Sequence, residues 1–136
     1  MVCIAGDLAR MHCLRVVHGD FKWSNILIAP GPEPEAWFVD LDNACRRSFP
    51  GNNCYALDLA RFAVDMARFL PDPKFFRYSI DSYTAKTGLK AQDVIKAMIP
   101  FSHRRCIKHK RKNKPHSISL SSLAAEVVNE NTFKIK

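Results

Sequence analysis

His18-Gly19-Asp20-Phe21-Lys22-Trp23-Ser24-Asn25 is the stretch on which the reading of this chain turns. It sets a carboxylate at Asp20, an ammonium at Lys22 and an amide at Asn25 close together, behind a histidine two positions before the aspartate. Phosphoryl transfer asks for such a set. It needs a carboxylate to orient the attacking hydroxyl and accept its proton, a cation near the transferring group, and an oxygen ligand for Mg²⁺. A short loop between regular elements can present all three into one cleft. The competing reading is a polar turn that holds these residues by coincidence, and the flanking sequence has to decide between the two.

Upstream, Leu8, Met11, Leu14 and Arg15 fall at helical spacing and predict a helix over residues 6–15, leading through Val16-Val17 into the loop. Downstream, Ile26-Leu27-Ile28 reads as a short strand, Pro30 to Glu35 as a turn, and Trp37-Phe38-Val39-Asp40-Leu41 as the returning strand of a hairpin. A loop then precedes a strong helix over residues 54–70. Leu57, Ala60, Val64 and Ala67 form one apolar stripe on it, and Leu59, Phe62, Met66 and Phe69 a second beside it. So wide an apolar arc marks a central helix. Asp72-Pro73 supplies a cap and a first-turn proline, and Gly88 a stop, for a helix over 74–87. A shorter helix carrying Val94, Ile95, Met98 and Ile99 is expected to end at Pro100, and another is expected near Leu120 to Val128.

Two further carboxylates stand where the loop's chemistry needs them. Asp40 closes the second hairpin strand, and in an extended segment Asp42 would point the same way, toward a metal. Asp58 lies near the start of the central helix, in Asp58-Leu59-Ala60-Arg61-Phe62. Together, His18 to Ile28, Phe38 to Ala44 and Asp58 to Phe62 resemble the Kdo/heptose lipopolysaccharide kinase family, over roughly residues 6–88. The resemblance implies an α+β, mostly helical fold: the C-terminal lobe of a protein-kinase-like fold with a small β-hairpin. It implies ATP and Mg²⁺ as cofactors, and a sugar hydroxyl of the lipopolysaccharide core as acceptor. Asp20 would be the base, Lys22 would lie near the transferred phosphate, and Asn25 and Asp40 would hold nucleotide and metal. His18 would pack and hydrogen-bond beneath the loop, and Asp58 would hold the loop backbone.

The His-Gly-Asp form is also similar to aminoglycoside phosphotransferases, so a small-molecule kinase of that type is an alternative. Protein kinases fit less well, because Gly19 replaces the arginine that reads a phosphorylated activation loop and no Ala-Pro-Glu follows Asp40. The sequence holds no Gly-rich phosphate loop and no paired lysine and glutamate ahead of the catalytic loop. The expectation is therefore a C-lobe whose N-lobe is absent, with weak or no activity alone. A non-catalytic pseudokinase fragment that binds anionic partners is the remaining reading.

Composition bounds the rest. The 136 residues suit one core, and the net charge of +8 is unevenly spread, with a basic run from Arg104 to Lys114. Residues 1–100 read as the lobe and 101–136 as a basic, flexible extension. That extension suits an anionic membrane surface or a sugar phosphate better than nucleic acid. The five cysteines form no Cys-x-x-Cys pair, and no apolar run is long enough to span a bilayer. Both point to a cytoplasmic protein, peripheral to the inner membrane where the basic run meets lipid. His103, Cys106 and His109 recur at a period of three but lack a fourth zinc ligand.

Overall fold

The structure, a computed structural model, describes residues 4–32, 34–46, 52–111 and 125. In chain order it runs through helix α1 (Ile4–Cys13), strand β1 (Val16–Val17), a 3₁₀ turn (Trp23–Asn25), β2 (Ile26–Ala29) and β3 (Glu35–Phe38). A second 3₁₀ turn (Leu41–Asn43), β4 (Cys45–Arg46), α2 (Asn52–Phe69), α3 (Pro73–Thr87) and α4 (Ala91–Arg111) follow. The described part is mostly helical, with two small antiparallel sheets, an α+β arrangement.

The helix α1 ends two residues earlier than its apolar spacing suggests. Arg15 takes a left-handed φ of 63°, its N–H turns back to the His12 carbonyl at 2.8 Å, and Leu14 is left exposed. The face that α1 buries is Ala5, Leu8, Ala9 and His12, and it packs on α3. That helix starts as its sequence predicts, with the Asp72 carboxylate accepting from the Lys74 N–H at 2.9 Å and Pro73 in the first turn. It stops at Gly88, in the left-handed region at φ 71°. The central helix α2 buries Leu59, Ala60, Phe62, Ala63, Val64, Met66 and Ala67, and its broadest contact is with α4.

The fourth helix corrects the sequence reading. It does not end at Pro100 but runs through it to Arg111. A mid-helix proline costs roughly 3 kcal/mol, so later residues must offset it. Ser102 and Cys106 are buried beyond the proline, the Ser102 hydroxyl bonds the Ile99 carbonyl at 2.8 Å, and Arg105 reaches back to Asp65 of α2. The first part of the basic run is thus a helix held on the core. The helix expected near Leu120 to Val128 lies outside the described residues.

The hairpin β2–β3 pairs Ile26 with Phe38, Leu27 with Trp37, Ile28 with Ala36 and Ala29 with Glu35. The returning strand stops at Phe38 rather than at Leu41, because Asp40 adopts φ 61° and turns the chain. β1 and β4 pair Val16 with Arg46 and Val17 with Cys45. This second ribbon brings the start of the polar loop alongside the segment that follows Asp40.

Candidate active site

Phe21 anchors the loop. Its ring is fully buried and meets Phe38 at 4.8 Å, His18 at 5.3 Å and Phe62 at 5.5 Å between centroids. With Phe21 facing the core, its neighbours Asp20 and Lys22 remain part-exposed, and their carboxylate and ammonium form an ion pair. Arg61 of α2 stands 3.9 Å from the other Asp20 oxygen. Partial burial pushes the Asp20 carboxyl up, but the Lys22 hydrogen bond and the charges of Lys22, Arg61 and Arg105 outweigh it. The net effect holds this carboxyl below the usual aspartate range.

The backbone ahead of Asp20 is pinned from beneath. Asp58, wholly buried, accepts the His18 N–H at 2.8 Å and the Gly19 N–H at 3.0 Å. The same carboxylate lies 3.4 Å from His12 Nε2, whose Nδ1 lies 2.8 Å from the Tyr83 hydroxyl. With Nε2–H donating to Asp58, Nδ1 can accept from Tyr83, so a single tautomer serves both contacts. Burial, followed by nearby negative charge, pushes the Tyr83 phenol upward, so it stays a donor. Three helices thereby meet at one carboxylate under the loop. The His18 ring packs on Phe21 and Phe38, and its two nitrogens find no hydrogen-bond partner among the described residues. Its hydrogen bond to the support runs through the main chain.

Gly19 has a reason to be glycine. It takes φ +82°, and a Cβ there would fall within contact distance of the Asn43 carbonyl oxygen and 2.9 Å from the Asn43 Cβ. The loop and the turn after Asp40 therefore touch backbone to backbone.

Asn25 joins the two halves. Its amide donates to the Asp20 carbonyl at 3.0 Å and to the Asp40 carboxylate at 3.2 Å, while the Val39 N–H donates to the Asn25 carbonyl at 3.0 Å. Asp40 sits in the left-handed region, where aspartate is tolerated better than most residues. Asp42 does not share its direction. The segment Leu41–Asn43 is a 3₁₀ turn, not a strand, and Asp42 is exposed. The extended geometry that would have paired the two carboxylates is not present. Among the described residues no three His, Cys, Asp or Glu side chains cluster as a metal cage. One carboxylate and one amide are still a fitting partial set for Mg²⁺. That ion keeps waters and is commonly held by one or two carboxylates together with substrate phosphates.

Comparison with known proteins matches residues 3–85, more than half of the chain, to the Lipopolysaccharide kinase (Kdo/WaaP) family. The chain belongs to this family. No curated protein matches it. As in the Kdo/WaaP family at large, a kinase acting in lipopolysaccharide synthesis is the activity that membership points to. Among the described residues no helix is long and apolar enough to cross a membrane.

The sequence placed Asp20, Lys22, Asn25, Asp40, His18 and Asp58, and the fold brings all six together around one loop. It missed His12 and Arg61, which touch Asp58 and Asp20, and Tyr83, which touches His12. His12 and Tyr83 were hidden as core positions of amphipathic helices; a polar residue on a face shared with Leu8 was the available signal. Arg61 was hidden because its nearness to Asp20 depends on how α2 crosses beneath the loop.

Proposed function

We propose that this chain is the catalytic C-terminal lobe of a protein-kinase-like fold, and that it transfers phosphate from ATP to a hydroxyl of a lipopolysaccharide-core sugar. The observation that carries the reading is the Asn25 side chain bridging the Asp20 backbone and the Asp40 carboxylate. It unites the proton-accepting and metal-facing sides of the loop. Asp20, held ionised by its cationic neighbours, orients the acceptor hydroxyl and takes its proton. Lys22 faces the transferring group. Asn25 and Asp40 would hold Mg²⁺, which when bound offsets phosphate charge. Asp58 keeps the Asp20 backbone fixed, and positioning of this kind supplies much of phosphoryl-transfer catalysis.

The reading also assigns the nucleotide-covering lobe to residues outside 1–136, since the Gly-rich loop and phosphate-pairing lysine of such folds have no counterpart here. The test is a coupled turnover assay with Mg·ATP and lipopolysaccharide-core acceptors, on this chain alone and on a form extended upstream. The extended form should transfer phosphate, and Asp20→Asn should reduce the rate by about 10²-fold or more with little loss of stability. Turnover by Asp20→Asn within a few-fold of wild type refutes the base assignment. Efficient turnover by residues 1–136 alone refutes the assignment of a missing lobe.

A further inference from the structure

We propose that the cavity between α2, the end of α3 and the start of α4 is a ligand site for a small alkylammonium ion, and that its occupant is felt at the catalytic loop through His12. The proposal goes beyond the phosphotransferase reading, which leaves this cavity without a use.

The cavity exists because the side chains that face it are short. Ala56 of α2 and Ala97 of α4 line it, together with Leu59 and Val94. Leu89, exposed just after the stop at Gly88, stands at its open side. About 390 Å³ lies between the walls, part of it open to solvent, which is room for a head group rather than a long chain. Unfilled space deprives its lining of dispersion contacts, so packing alone gives no reason for it.

The remaining walls are Tyr55, Tyr83 and Asp93. The Tyr83 hydroxyl is engaged by His12 at 2.8 Å, so what Tyr83 offers to the cavity is its ring. Asp93 is exposed and forms no ion pair or side-chain hydrogen bond among the described residues. Its place in the first turn of α4 suits the helix dipole, which accounts for an acid there but not for its opening beside two tyrosine rings. Lys86 and Lys90 are exposed nearby in sequence, yet neither lines the cavity. Aromatic faces and a carboxylate both attract a cation and both disfavour an anion. The apolar remainder of the lining favours alkyl groups on that cation over a hydrated metal ion.

Both tyrosine walls also touch His12. The Tyr55 ring lies 4.4 Å from the His12 ring between centroids, and the Tyr83 ring 5.7 Å. His12 in turn reaches Asp58, which accepts the His18 and Gly19 N–H groups of the catalytic loop. An occupant that shifts either tyrosine therefore shifts the ring on which the loop's support rests.

Amide NMR and titration calorimetry of the 136-residue chain, without nucleotide, test the site with three probes of one shape and different charge. These are choline, its uncharged carbon isostere neohexyl alcohol, and the anion of tert-butylacetic acid. Choline should bind about fivefold more tightly than the alcohol, and the anion most weakly. Asp93→Asn should abolish the preference for choline over the alcohol. Ala97→Leu, which fills the cavity, should weaken choline about fivefold or more. Asp93 is exposed, so its variant keeps the test decisive even if Ala97→Leu does not fold. The His18 and Gly19 amide signals should move with the same saturation curve as those of Tyr55 and Tyr83. Binding of none of the probes, equal affinity for all three, or a choline preference that survives Asp93→Asn overturns the site. Choline binding that leaves the His18 and Gly19 amides unmoved overturns the link to the loop. No nucleotide or acceptor enters these measurements, so their outcome is separate from whether the chain transfers phosphate.

Discussion

Replacing Asp58 by alanine removes the acceptor for two backbone N–H groups, one buried and one part-buried, and the size of the loss follows from the contacts. The His18 and Gly19 amides donate to this carboxylate at 2.8 and 3.0 Å. Hydrogen bonds to a charged acceptor contribute about 1.5–3 kcal/mol each, and donors left unsatisfied in the interior cost their desolvation. Against this stands the relief of no longer burying a carboxylate, which offsets part of the sum. The expected net loss is about 2–4 kcal/mol, a large share of the roughly 5–15 kcal/mol available to a domain. For a chain of this size that lowers Tm by about 10 °C.

Asp58→Asn keeps one acceptor oxygen but sets an amide N–H against a backbone donor, so about half the loss is expected. Urea and thermal unfolding by circular dichroism measure both variants, and amide exchange locates the effect at His18 and Gly19. A melting curve for Asp58→Ala within about 2 °C of wild type, with protection at those amides intact, would refute the claim that this carboxylate holds the loop.

Three other perturbations follow from the same geometry. Gly19→Ala should cost about 2–4 kcal/mol in urea unfolding, because left-handed φ and contact with Asn43 act together; wild-type stability would mean the approach to Asn43 is looser than described. Asp40→Ala should raise the Mg²⁺ concentration for half-maximal turnover about tenfold or more, whereas Asp42→Ala should leave it alone. The reverse order would reassign the metal-facing carboxylate. Arg61→Met should move the Asp20 titration, followed by carboxyl-carbon NMR, upward toward the usual aspartate value. Because that carboxyl is depressed in the folded state, its stabilising contribution is present above the unfolded value and lost as pH falls through the folded one. The variant should therefore have less of this contribution to lose on acidification, and an unmoved titration would show that Arg61 is too well screened to matter.

What could be read from the sequence was whatever local rules govern. The cap at Asp72, the stop at Gly88 and the stripes of α2 each depend on neighbours within a turn or two, and each is found in the fold, except that Leu57 is half-buried and Phe69 exposed. The loop residues were legible because their spacing carries the family resemblance, and the family match covers them. Pro100 misled because proline's local penalty was weighed without the tertiary contacts of Ser102, Arg105 and Cys106 that offset it. Asp42 misled because its direction depended on Asp40 remaining extended, and a single left-handed residue reversed the chain. His12, Tyr83 and Arg61 acquire their roles only across distances of tens of residues, which no periodicity records.

The backbone contact at Gly19 also bears on how such a site can be regulated. Switching transitions commonly order or release a loop segment beside a site. Here Asn43, three residues beyond Asp40, rests against Gly19, one residue before Asp20, and Asn25 ties the two aspartates from the other side. For Asp40 to swing out, its bond to Asn25 has to break and the turn that carries Asn43 has to part from Gly19. An inhibitor or partner that silences this site by conformation has either to separate the two loops or to displace them together. One that occupies only the acceptor side will block the reaction without disturbing either.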